Sequence, residues 1–196
     1  MILAKYALLA RIDSGHIIAP RDLVQENSVN VRLGAEMWTC SNDSDFIDLH
    51  APRDFTLVKP STRWYGENVD MPISGFWIKP GRVYIGTTAD AYGTRLLGDG
   101  IAFVPELRAR STTGRHGLTV ALCAGVGDVG YTGRWALEII NNNRADVFVA
   151  VGTEIGQVVY HTATEAYRKN GYGGEDRYQK NDGSIQFLPK PFGVPK

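Results

Sequence analysis

A mainly β domain, built as a sandwich, barrel or jelly roll with short N-terminal helices, is the fold class this sequence predicts. Three observations predict it. From residue 29 to residue 160 the chain is a succession of short apolar runs of strand length and composition. Turn residues separate them, and the 22 glycines and 9 prolines are scattered rather than clustered. Helical spacing is confined to the first 24 residues. Many short strands with Gly- and Pro-containing turns mark closed or double-layered β architectures.

The elements follow in order. Residues 2–12 read as a helix, because Leu3, Ala7, Leu8 and Ile12 recur at helical spacing among good helix formers. Ser14-Gly15 stops it, and Pro20 opens a short second helix through Val24, since proline suits a first helical turn. After Asn27 the period changes to two, with Val29, Val31 and Leu33 alternating with Asn30 and Arg32. Further strands are expected at 46–49, 54–58, 75–78, 83–88, 101–104, 118–122, 134–140, 147–151 and 157–160. The last stretch, 162–196, is polar and rich in Gly, Tyr and Lys, and reads as a tail that folds over something.

No linker, low-complexity tract or repeat interrupts the chain, so residues 1–196 read as one domain. Lys plus Arg and Asp plus Glu are both 21, giving zero net charge, so a general nucleic-acid binder is disfavoured. Cys40 and Cys123 cannot make a disulfide framework or a Cys-rich zinc site. Lys5 and Arg11 interrupt the first apolar residues, so no signal peptide is expected, and no apolar run approaches the ~18 residues of a membrane helix. The expectation is a cytoplasmic protein with no membrane partner.

Several chemistries are missing from the sequence. There is no P-loop, no Gly-x-Ser-x-Gly elbow, no His-Glu-x-x-His and no zinc-deaminase signature. Two segments carry chemistry instead. Arg108-Ala-Arg-Ser-Thr-Thr-Gly-Arg115 supplies guanidinium forks, hydroxyls and, through Gly114, exposed N–H groups, a set suited to polyphosphate. By itself it also reads as a solvated turn, the commoner fate of a charge cluster. The second segment places Asp128 in a glycine-rich hairpin and Glu138 in an apolar strand, where Arg134, Ala136, Glu138 and Ile140 share one face and Trp135, Leu137 and Ile139 the other. A carboxylate beside Leu137 and Ile139 risks burial, and burial favours the neutral form that suits proton shuttling. A glutamate facing solvent on a half-exposed sheet is the competing reading.

Together these segments resemble the deoxycytidine triphosphate deaminase family of the trimeric dUTPase-like superfamily. Ser28-Val-Asn-Val-Arg-Leu-Gly34 resembles its S-V-D-V-R-L-G strand, and Phe46-Ile-Asp-Leu49 its F-I-D-L. Arg110-Ser-Thr-Thr-Gly-Arg-His-Gly-Leu118 resembles R-S-S-x-x-R-x-G-L, and Asp128-Val-Gly-Tyr-Thr-Gly133 resembles D-P-G-[FYW]-x-G. Leu137-Glu-Ile-Ile-Asn141, the stretch from Gly152 to Gln157, and Arg177-Tyr-Gln179 resemble L-E-[LF]-x-N, G-x-x-I-x-Q and [KR]-Y-Q. Seven matches fall in the family's order.

The resemblance implies a distorted β-barrel or jelly roll of the dUTPase-like type, a homotrimer with shared sites, and zinc-independent hydrolytic deamination of dCTP to dUTP and ammonia. Glu138 matches the catalytic glutamate, with Ser111 and Arg115 orienting water and carboxylate. Arg110, Thr112, Thr113, Gly114 and neighbouring N–H groups match the phosphate turn. Asp128 matches the sugar contact, the backbone of Ala136, Leu137 and Glu138 the base contact, and Gln157 a further nucleotide residue. Tyr172, Arg177, Gln179 and Asn181 match a closing tail, with Tyr167 the other tyrosine candidate. Mg²⁺ is expected on the triphosphate, with no protein metal ligand.

The departures are Asn30 for Asp, Thr112 for Ser, Val129 for Pro, and Asn181 where a Gln usually follows. They leave the catalytic set intact and bear on base and phosphate selectivity, so a 5-modified cytosine nucleotide is an alternative substrate. Two other readings compete. Gly125-Val-Gly-Asp-Val-Gly-Tyr131 also resembles the dUTPase hairpin, so a dUTPase, or a bifunctional enzyme releasing dUMP and diphosphate, is the alternative. A non-enzymatic nucleotide sensor is the third, against which Glu138 and Arg115 argue.

Overall fold

The computed structural model describes residues 1–40, 52–64, 72–121 and 124–163. Its elements are α1 (Lys5–Asp13), β1 (Ile17–Ile18), a 3-10 turn (Arg21–Leu23), β2 (Val29–Cys40), β3 (Phe55–Leu57), β4 (Ser61–Arg63), β5 (Ile73–Ile78), β6 (Val83–Thr88) and β7 (Tyr92–Thr94). There follow β8 (Ala102–Ala109), α2 (Ser111–Arg115), β9 (Leu118–Val120), β10 (Thr132–Gly133), β11 (Ala136–Asn141), β12 (Val147–Ala150) and β13 (Glu154–Ala163). The chain is mainly β, as its period-two runs require.

A seven-stranded sheet runs β8-β13-β2-β6-β11-β9, with β3 added to β2; its end strands β8 and β9 come into contact, so it nearly closes. Two three-stranded sheets, β1-β7-β10 and β12-β5-β4, complete the architecture. The pivot is β2. Its first half pairs with β13 and its second half with β6, across a register shift between Leu33 and Met37. Val29, Val31 and Leu33 are wholly buried, as their alternation predicts, and Asn30 between them is buried too. The core also holds Phe76, Tyr92, Phe103, Leu137, Ile139 and Tyr160. Each such side chain contributes roughly 1.5–3 kcal/mol by burial.

Differences from expectation have local causes. The helix starts at Lys5, because Leu3 N–H donates to the Tyr160 carbonyl and Ile2 bridges His161, extending the sheet alongside β13. The segment after Pro20 makes one 3-10 turn rather than an α-helix. Strands β8 and β13 outrun their apolar runs, since they pair with each other over eight positions. β13 continues to Ala163, into the segment expected as tail. The expected strand at 46–49 and the remaining tail lie outside the described residues.

Candidate active site

Strand β8 leads directly into the Arg-Ser-Thr-Thr-Gly-Arg segment. Arg110 stays extended at the N-cap of α2, and the five residues Ser111–Arg115 form the helix. Two hydrogen bonds onto one acceptor pin this turn: the Ile155 carbonyl receives Arg110 N–H at 3.3 Å and the Thr113 hydroxyl at 2.9 Å. Ile155 is free to accept because β13 shifts register between Glu154 and Gly156, which leaves one residue outside the β2 ladder. Gly117, at φ +73°, closes the turn, and a Cβ there would press into Asn143. Pinned in this way, Ser111, Thr112, Gly114 and Arg115 are exposed. The first-turn N–H groups of a helix have no intrahelical acceptor, which suits an anion.

Thr113, expected on the phosphate turn, is turned inward. Its hydroxyl is committed to Ile155 and it is 7% exposed, so it offers backbone only. Arg110 is already engaged, its Nη1 paired with Glu154 Oε2. The Gln157 Oε1 accepts from Ser28 Oγ at 3.2 Å, so that side chain is partly used by the fold. Arg108 is exposed and lies 2.5 Å from Glu106.

Strand β11 shows the expected alternation. Trp135, Leu137 and Ile139 are buried in the core, whereas Ala136 is exposed and Glu138 and Ile140 are half-buried. Glu138 therefore faces away from the core, opposite Ile85 of β6, which itself lies opposite Trp38 of β2. This outward row is mainly apolar, and within it the Glu138 Oε2 is buried with no hydrogen-bond partner among the described residues. Burying a carboxylate oxygen without a partner is costly, and such groups cluster where function requires them. Ser111 and Arg115 make no hydrogen bond to this Glu138 oxygen within the chain.

Next to this strand, β9 is followed by Ala121, the one non-glycine residue with positive φ (59°) among the described residues. Such a conformation costs of order 1–3 kcal/mol and is often found at working sites. A cleft of about 410 Å³ opens there, lined by Glu106, Arg108, Val120, Ala121, Gly125 and Val126.

The hairpin carrying Asp128 is tied to β8, since Leu107 N–H donates to the Gly125 carbonyl and Gly127 N–H to that of Pro105. Its turn is closed by Tyr131 N–H on the Asp128 carbonyl at 3.1 Å, with Gly130 at φ +89°. That geometry favours proline at the second position, yet Val129 keeps it closed, helped by Gly130 N–H on Thr94 Oγ1. Asp128 is exposed. One strand thus connects the hairpin to the arginine turn.

Sequence reasoning missed Glu154. It is 44 residues from Arg110 and 124 from Asn30, which both donate to it, so only the unusual Asn30 hinted at a rearranged charge. Tyr172, Arg177, Gln179, Asn181 and Tyr167 lie outside the described residues. Among the described residues no group of three or more His, Cys, Asp or Glu gathers as a metal site, and no helix is long and apolar enough to cross a membrane.

A family model described as dCTP deaminase-like matches residues 2–163. A "dCTP deaminase, dUMP-forming" from Clostridium beijerinckii is 33% identical over 185 residues, covering 93% of each chain. A protein of the same name from Leptospira biflexa is 32% identical over 185 residues, covering 93% of this chain and 92% of its own. The crystal structure of 2'-deoxycytidine 5'-triphosphate deaminase from Agrobacterium tumefaciens superposes with a TM-score of 0.54 at 20% identity over 83% of this chain. This chain spans 48% of that one's length, and the likeness is one of fold, the expected dUTPase-like barrel.

Proposed function

The chain belongs to the dCTP deaminase-like family, and on that premise we propose that it hydrolyses dCTP to dUMP, ammonia and diphosphate. The observation that carries the reading is Glu138, whose buried, unpartnered oxygen stands on an otherwise apolar row of the sheet. There it takes a proton from water as the oxygen attacks C4 of cytosine. It then returns protons to N3 and to the amine, the C4–N bond breaks, and ammonia leaves. General acid–base work of this kind contributes roughly 10²–10⁴ in rate. Zinc has no part in this route.

The sequence expectation placed dUTP first as product. The names of the relatives support the alternative instead, in which the same site continues to dUMP. A second water attacks the α-phosphate, oriented by Asp128 on its hairpin, and diphosphate departs. Arg110, Thr112 and the N–H groups of the α2 turn hold the phosphates. Mg²⁺, held by the triphosphate rather than by protein ligands, would neutralise part of its charge. Ser111 and Arg115 of a neighbouring copy complete the Glu138 site in a homotrimer.

Incubation with dCTP and Mg²⁺, followed by separation of products, tests the proposal. Equal amounts of dUMP, diphosphate and ammonia are expected. Accumulating dUTP would overturn the second half-reaction, and absence of ammonia would overturn the deaminase. The same assay with a 5-methyl dCTP reads how much the base pocket admits. Light scattering showing monomer alone would remove the shared site.

A further inference from the structure

Arg110, the guanidinium assigned to phosphate, does not hang free. Its Nη1 donates to Glu154 Oε2, and Asn30 Nδ2 donates to the same oxygen at 2.8 Å. Three strands converge on this atom: Asn30 from β2, Glu154 from the start of β13, and Arg110 from the end of β8. The register shift after Glu154 brings them together. The same shift frees the Ile155 carbonyl to pin α2, and it re-aims Glu154 toward Arg110.

The partners are unequal. Asn30 is buried at 4% exposure, whereas the side chains of Arg110 and Glu154 are 35% and 36% exposed. Glu154 is thus anchored from inside by an amide, and its carboxylate projects to the surface where the arginine lies. Arg110 spends one N–H on it, and the rest of its fork has no acceptor among the described residues. A half-exposed pair contributes little to stability, so its effect is one of position. Position 30 fits this role: an amide donates to Glu154, whereas an aspartate would set two carboxylates at hydrogen-bond distance.

We propose that Glu154, anchored by Asn30, is a positioning residue that presents the Arg110 fork to the triphosphate. The proposal rests on the deaminase reading above. It is tested on the full chain with dCTP and Mg²⁺, using Glu154→Gln, Glu154→Asp and the exchange Asn30→Asp/Glu154→Gln, which moves the carboxylate across the pair. Turnover, KM for dCTP and inhibition by deoxycytidine, which carries no phosphate, are measured together.

Glu154→Gln should raise KM about tenfold, as expected when a charge-assisted contact is lost, with kcat changed less than about twofold. Deoxycytidine inhibition should not move. The exchange should bring KM back to within about threefold of the parent, because the two positions are coupled. An unchanged or lower KM in Glu154→Gln would overturn the proposal, the lower value meaning that Glu154 competes with phosphate. Equal weakening of dCTP and deoxycytidine would overturn it too, by showing a folding role. Should Glu154→Gln not fold, Glu154→Asp and the exchange carry the same test, and failure of both to hold KM below that of Arg110→Ala overturns it. A parent protein that releases no ammonia refutes the deaminase reading instead.

Discussion

Glu106 and Glu138 sit on strands of the same sheet, both half-buried, and are treated in opposite ways. Glu106 has a partner for each oxygen: Arg108 at 2.5 Å and the His161 ring nitrogen at 2.9 Å. Glu138 has an enclosed oxygen, Oε2, with no hydrogen-bond partner among the described residues. Ordinary packing supplies donors to a buried carboxylate, because leaving one bare costs stability. The first glutamate follows that rule and reads as structural. The second breaks it at the position where proton transfer is proposed.

The strongest way to break this contrast is Glu138→Gln. Ammonia release should fall by roughly 10²–10⁴, while the melting temperature stays level or rises, since an amide is easier to enclose than a carboxylate. A variant that melted early but still turned over would reverse the two roles. One residue away, on the opposite face, Ile139→Ala should cost about 2–5 kcal/mol in denaturant unfolding. A loss below about 1 kcal/mol would mean that β11 is not the core strand its burial indicates.

Glu106→Gln sharpens the other side. Because Arg108 is well exposed, the loss of stability should be at most about 1 kcal/mol. Deamination should remain within about twofold of the parent. A large fall in rate would turn the cleft beside β8 into part of the site.

The smallest effect concerns neutral buried groups. Tyr92 and Tyr160 are wholly buried, and burial, the largest cause for both, pushes their phenols above the ordinary value of 10.0. Their folded values are raised, so their contribution is complete below pH 10 and is lost as pH climbs beyond it. Unfolding midpoints should be flat on approach to pH 10 and fall above it. Tyr160→Phe should flatten part of that decline; an unaltered decline would assign it to other groups.

Much of this was legible in the sequence, though unevenly. Val29, Val31 and Leu33 announced β2, and Trp135, Leu137 and Ile139 announced the buried face of β11, because period-two burial is written locally. Strands β1, β4, β7 and β10 have two or three residues each and are too short to show a period. Thr113 and Ser111 look alike in the motif, yet one hydroxyl is spent on Ile155 and the other side chain is exposed.

Local order therefore sufficed for the fold class, the order of the motifs and the face on which Glu138 stands. Those properties depend on spacing and residue type over a few positions. Which carboxylate would be satisfied, which hydroxyl spent and where Arg110 would point depended on closing the sheet. The Glu154 oxygen meets its donors across 44 and 124 residues of chain, through a register shift that no local pattern encodes. Hydrogen bonds at that range exist only once three strands have settled into register, so tertiary structure alone could decide them.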